Sequence, residues 1–127
     1  MRNLAFFLAL SFTILFVSSL SAQDQDIDLM GVRQLAEAGS DVTKPHPIKF
    51  FLYFNDRNKA DGAVLRLLDE GFEDLTVQSE NGGGWLLLIS RTMIPKASRL
   101  KELRSMFQEI CFIYDGEYDG WETPLVK

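Results

Sequence analysis

Hydrophobic residues along this chain fall into two periods, one helical and one alternating, and their order predicts the fold. Leu29, Val32, Leu35 and Ala36 recur at three- and four-residue spacing, which predicts a short amphipathic helix that Gly39 and Ser40 terminate. Pro45 and Pro47 then bracket His46 and introduce an alternating run. Ile48, Phe50, Leu52 and Phe54 share one face of that strand, and Lys49, Phe51 and Tyr53 share the other. Asn55 and Asp56 can accept the free amides of a helix start, after which Ala60, Ala63, Val64, Leu67 and Leu68 form a stripe ending at Gly71.

Phe72 to Ser79 predicts a second strand with Leu75 and Val77 inward. Gly82, Gly83 and Gly84 predict a hairpin turn, because glycine accepts positive φ without a Cβ clash. A phosphate cradle would need a helix to begin directly after those glycines, whereas Trp85 to Ser90 predicts the returning strand. Pro95 opens a further helix that Leu100, Leu103, Phe107 and Ile110 continue. Lys101, Arg104 and Gln108 flank it, either as a solvated face or as a docking patch for an acidic partner. Phe112 to Tyr114 predicts a last short strand before a turn-rich end.

After the first helix the order is therefore βαββαβ, an α+β, ferredoxin-like sandwich. A four-stranded antiparallel sheet would carry two helices on one face, because right-handed crossovers place both on the same side. The opposite face would show Phe51, Tyr53 and either Phe112 or Tyr114. Such rings invite three readings: cover by the first helix through Leu29, Val32 and Leu35, pairing of two copies, or stacking of single-stranded bases.

The beginning of the chain has a different character. Arg2 and Asn3 precede an apolar run from Leu4 to Val17, and Ser18, Ser19, Leu20, Ser21 and Ala22 follow. Small residues after a short apolar stretch predict a secretory signal peptide over residues 1–22, cleaved near Ala22. A retained anchor is the rival, but the run falls short of the roughly 18 residues that span a bilayer. No Cys follows directly, which argues against a lipoprotein. The expectation is an exported protein, periplasmic or secreted, with residues 23–127 as one domain and no membrane span after cleavage.

Charge and composition narrow the chemistry. The chain has 13 Lys plus Arg and 18 Asp plus Glu; without Arg2 the balance is 12 against 18, or −6. That charge, with no Lys/Gly/Phe-rich RNA-recognition signature, makes nucleic acid the lesser reading. One cysteine, Cys111, cannot form an internal disulfide and reads as a small buried hydrophobe. His46 stands alone, so no histidine-rich metal cluster is expected. Asp115, Glu117, Asp119 and Glu122 lack the loop spacing of an EF-hand. With no nucleophile expected beside a base, the sequence predicts neither catalysis nor a metal or cofactor.

The ending Tyr114-Asp115-Gly116-Glu117-Tyr118-Asp119-Gly120-Trp121-Glu122-Thr123-Pro124 resembles that of the regulator of ribonuclease activity B family, also called the ribonuclease E inhibitor type. Ala38-Gly39-Ser40-Asp41, Leu68 and Gly71-Phe72 extend the resemblance upstream. It implies a ferredoxin-like fold and a non-catalytic protein that works by binding another protein. The export leader sets this chain apart from a cytoplasmic ribonuclease E target, so fold transfers ahead of target. Asp119 and Gly120 suit a turn, with Trp121 either locked over the sheet end or joined with Tyr118 and Glu122 in a partly exposed rim. The candidate protein-interaction residues are thus Phe51, Tyr53, Tyr114, Tyr118, Asp119, Gly120, Trp121 and Glu122. The partner is an unspecified protein, and a homodimer is one form it can take.

Overall fold

The computed structural model of the chain describes residues 26–127 and the backbone of Ile14–Val17. The rest of the expected leader, with its cleavage site, lies outside the described residues. The elements in chain order are β1 (Ile14–Val17), α1 (Ile27–Glu37), β2 (His46–Phe54), α2 (Arg57–Asp69), β3 (Asp74–Ser79), β4 (Trp85–Met93), α3 (Ala97–Tyr114) and β5 (Gly116–Pro124).

Local chemistry sets most of these bounds. The Asp26 carboxylate accepts from the Leu29 amide at 3.0 Å and opens α1, and the Asp56 carboxylate accepts from the Asn58 amide at 2.7 Å and opens α2. Such caps satisfy backbone donors that have no partner within the helix. At the end of α3, Asp115 takes the left-handed conformation at φ 59°. That stops the helix and turns the chain directly into β5.

The strands form one sheet in the order β1-β5-β2-β4-β3, and every neighbouring pair is antiparallel. β2 lies between β4 and β5, with Phe50 opposite both Ile89 and Trp121. Short β1 lies on the outer edge of β5. β3 and β4 form the expected hairpin, closed where the Glu80 amide donates to the Gly84 carbonyl at 3.0 Å.

One side of the sheet meets the helices. Ile48, Phe50, Leu52 and Phe54 of β2 pack with Ala60, Ala63 and Leu67 of α2 and with Leu100, Leu103, Phe107 and Ile110 of α3. The ring of Phe107 is central, at 5.1 Å from Phe50, 5.6 Å from Phe72 and 5.6 Å from Tyr118 between centroids. Burying each such ring contributes about 1.5–3 kcal/mol, so this cluster supplies much of the force that closes helices onto sheet.

Three expectations need correction. Phe112 to Tyr114 are the last turn of α3, not a strand, because Phe107, Ile110, Cys111 and Tyr114 keep helical spacing against the core. Leu68 is half exposed, and the buried stripe of α2 is Ala60, Ala63 and Leu67. The first helix does not cover Phe51 and Tyr53: Val32 packs into the core on the helical side, and Asp28 bonds to side chains of α3 and β5. No described helix is long and apolar enough to cross a membrane.

Candidate interaction surface and the C-terminal strand

The Asp119-Gly120 pair, expected as a turn, lies inside β5 and forms a β-bulge. Phe50 pairs with Trp121 and Leu52 with Tyr118, so two residues, Asp119 and Gly120, stand opposite the single residue Phe51. Gly120 has φ 105°, a conformation that side-chain-bearing residues rarely adopt and that bulges commonly require. In a regular strand residues three apart point to opposite faces. The extra residue rephases the strand, and both Tyr118 and Trp121 enter the core between sheet and helices.

That core position is secured by polar partners. The Trp121 indole Nε1 donates to Asp28 Oδ1 at 3.3 Å, and Arg104 Nε donates to Asp28 Oδ2 at 2.8 Å. Asp28 is only 1% exposed. A carboxylate so deep is tolerated because a guanidinium pairs with it. Arg104, read from sequence as part of a polar flank, is therefore an internal clamp between α1, α3 and β5. The Tyr118 hydroxyl is pushed well above the usual phenol range, first by burial and then by the Asp28 charge, with Arg104 opposing.

The partly exposed rim expected of Tyr118, Trp121 and Glu122 is not formed: Trp121 is 1% exposed and Glu122 is 5% exposed. Tyr114 is also off the open face. It sits on α3 against α2, where a Cβ added to Gly62 would lie 2.6 Å from the Tyr114 ring. Phe112 projects from α3 at 87% exposure. With both rings on the helix, the base-stacking platform that counted one of them beside Phe51 and Tyr53 is smaller than expected.

Phe51 and Tyr53 do form a second apolar cluster with Leu86 and Leu88 of β4, and it contains no helical residue. Together with Lys49, Gln78, Glu80 and Glu122 these four side chains line a shallow depression of about 270 Å³ on the open face. Glu122 stands opposite Lys49 in the β2–β5 register. Among the described residues its Oε1 is buried without a hydrogen-bond partner. Burial raises its pKa, and the Lys49 charge only partly offsets this.

A second arrangement escaped the sequence reading and corrects one of its expectations. Ser40 Oγ lies 2.6 Å from His46 Nε2, a hydroxyl beside a potential base. His46 Nδ1 lies 2.8 Å from the Lys44 carbonyl, which can only accept. Nδ1 thus carries a proton, and in the neutral tautomer Nε2 accepts from Ser40, whose hydroxyl also lies 3.3 Å from the Val126 carbonyl. The same Ser40 oxygen accepts from the Val126 amide at 2.8 Å, and the Asp41 amide donates to the Val126 carbonyl at 2.6 Å. His46 is fully buried. The pair is a latch holding the segment after β5 against the loop after α1.

Cys111 is buried beside β5, as expected of a small hydrophobe, and burial with the nearby Asp119 charge pushes its thiol up to about 12. Among the described residues, no group of three or more His, Cys, Asp or Glu is placed to hold a metal ion.

The architecture defines a small α+β protein whose most elaborate chemistry fixes one strand in place beside an amphipathic open face. Residues 24–123 match the family model described as regulator of ribonuclease activity B, and the chain belongs to that family. Among curated proteins no match was found.

Proposed function

We propose that this chain is an exported, non-catalytic regulator that acts by binding another protein. The observation that carries the reading is the family match over residues 24–123, since the family is named for regulation of a ribonuclease. The strand succession β2-α2-β3-β4-α3-β5 supports a ferredoxin-like arrangement. Export is inferred from Arg2, the apolar run Leu4 to Val17, and the small residues Ser21 and Ala22.

The contact surface we favour is the open face around Phe51, Tyr53 and Leu86, with Glu122 at its β5 margin. Apolar rings with a few polar neighbours suit a protein partner. Trp121, Tyr118, Asp119 and Gly120 serve this surface indirectly, by fixing the course of β5.

The test has two arms. Fractionation with sequencing of the mature N-terminus is expected to find a processed chain outside the cytoplasm. An uncut cytoplasmic chain would overturn export. Titrating the purified protein into a ribonuclease assay with a fluorogenic RNA is expected to slow cleavage, and Tyr53→Ala and Leu86→Ser are expected to weaken that effect. An unchanged cleavage rate would remove ribonuclease as the partner.

A further inference from the structure

The outer edge of β5 carries a strand. Ile14 stands opposite Pro124, Leu15 opposite Thr123, Phe16 opposite Glu122 and Val17 opposite Trp121, all antiparallel. The other edge of β5 pairs with β2, so this is the terminal edge of the four-strand unit formed by β5, β2, β4 and β3. The bulge at Asp119-Gly120 ends just before the paired stretch, and residues 121–124 pair with β1 without a register shift while Trp121 and Glu122 pair with β2 on the other side. Natural edges usually refuse a new strand by lysines, prolines or bulges. Trp121, Glu122 and Thr123 carry none of these, and Pro124, which has no N–H to donate, ends the edge.

We propose that the 121–124 edge of β5 is a strand-acceptor site for an extended apolar segment of a partner protein, and that Ile14–Val17 fills it in the unprocessed chain. Pairing of this kind draws its affinity from main-chain hydrogen bonds, so different apolar sequences can use the same edge. An added strand directs alternate side chains to opposite faces, one set beside Glu122 on the open face and the other toward the Trp121 side. Edge and open face would then bind one partner as a continuous surface. Cleavage near Ala22 removes the internal occupant, so the site opens on processing. This last step rests on the export and protein-binding reading given above.

The experiment uses the full 127-residue chain carrying Ile14→Gly, Leu15→Ser, Phe16→Gly and Val17→Ser, titrated with a fluorescent peptide of sequence 12–19 bearing a lysine tail for solubility. Saturable binding is expected. Two further peptides are N-methylated on alternate amides, one at Leu15 and Val17 and the other at Ile14 and Phe16. Strand pairing points only one of these sets at β5, so one peptide loses at least about tenfold in affinity and the other binds as before. No binding, or an equal effect of the two methylation patterns, would overturn the site.

A variant that fails to fold is covered by a second measurement. In the otherwise unaltered chain, Leu15→Cys with Thr123→Cys is expected to form a cross-link on mild oxidation, because opposite residues of paired strands bring their Cβ atoms within about 5.5 Å. Absence of that cross-link in folded protein would also overturn the site. Sequencing the mature N-terminus reads the processing step separately: a chain that keeps residues 1–22 yet pairs as described refutes processing and leaves the acceptor edge standing.

Discussion

Arg104 and Asp28, 76 residues apart in sequence, meet at 2.8 Å in the protein interior. The contact joins the first turn of α1 to the middle of α3, and the Trp121 indole completes the set from β5. Removing one charge leaves the other buried. Arg104→Ala is therefore expected to cost about 3–5 kcal/mol, whereas the double variant Asp28→Leu with Arg104→Met should recover most of that loss. Urea denaturation of the two variants beside the parent chain checks this, and a single-variant loss under about 1 kcal/mol would show the pair to be dispensable.

The Ser40–His46 pair has the distance of a catalytic dyad and the surroundings of a latch. A fluorophosphonate probe is expected to leave Ser40 unlabelled in the folded chain, since the hydroxyl is buried and its oxygen already accepts from Val126. His46→Ala should destabilise by about 1–3 kcal/mol through the unsatisfied groups it leaves. Faster amide exchange at Asp41 and Val126 would be its signature, and rapid Ser40 labelling would refute the latch.

Glu122 gives a pH dependence whose sign follows from burial. Its folded pKa lies above the ordinary 4.5, so the fold favours the protonated carboxyl. The stability this group contributes is complete below the unfolded value and is lost as pH rises through the folded one. Glu122→Gln keeps the shape and removes the ionisation. The variant should be more stable than the parent at neutral pH, with the difference shrinking toward about pH 4. Denaturation midpoints across that range test it, and a difference that grows on acidification would be the wrong sign.

Cys111 should be chemically quiet. With its thiol pushed to about 12, the thiolate at pH 8 is rarer than in an ordinary cysteine by about a thousandfold. A chromogenic disulfide reagent is expected to react slowly with native protein and at once in denaturant. Fast native labelling would mean that the α3–β5 contact opens readily.

Periodic elements were legible in the residues, and their reasons are local. β2 sends Ile48, Phe50, Leu52 and Phe54 to one side of the sheet and Phe51 and Tyr53 to the other, Asp56 caps α2, and Leu100, Leu103, Phe107 and Ile110 keep helical spacing through α3. The glycines between β3 and β4 gave the hairpin. The C-terminal region misled because its signals have two meanings. Aromatic Phe112 and Tyr114 suit a strand by propensity, yet the spacing from Phe107 to Tyr114 holds them in the helix. Asp-Gly suits a turn and equally suits a bulge, and only pairing with Phe50 and Leu52 decides between them. The acidic stretch from Gln23 to Asp28 reads as a flexible leader, yet Asp28 lies in the first turn of α1, and its partners Arg104 and Trp121 are too distant in sequence to betray it. Ser40 and His46 were both visible, but the Val126 backbone that joins them was not.

The bulge at Asp119-Gly120 makes this stretch sensitive to counting more than to spelling. Losing either residue would not merely shorten the chain: it would swap inside for outside along the remainder of the strand, sending the indole toward solvent and a carboxylate into oil. Chemically conservative replacements of Tyr118 or Trp121 should be survivable where single-residue deletions are not, and any alignment of such proteins ought to treat a gap within these four positions as a change of design.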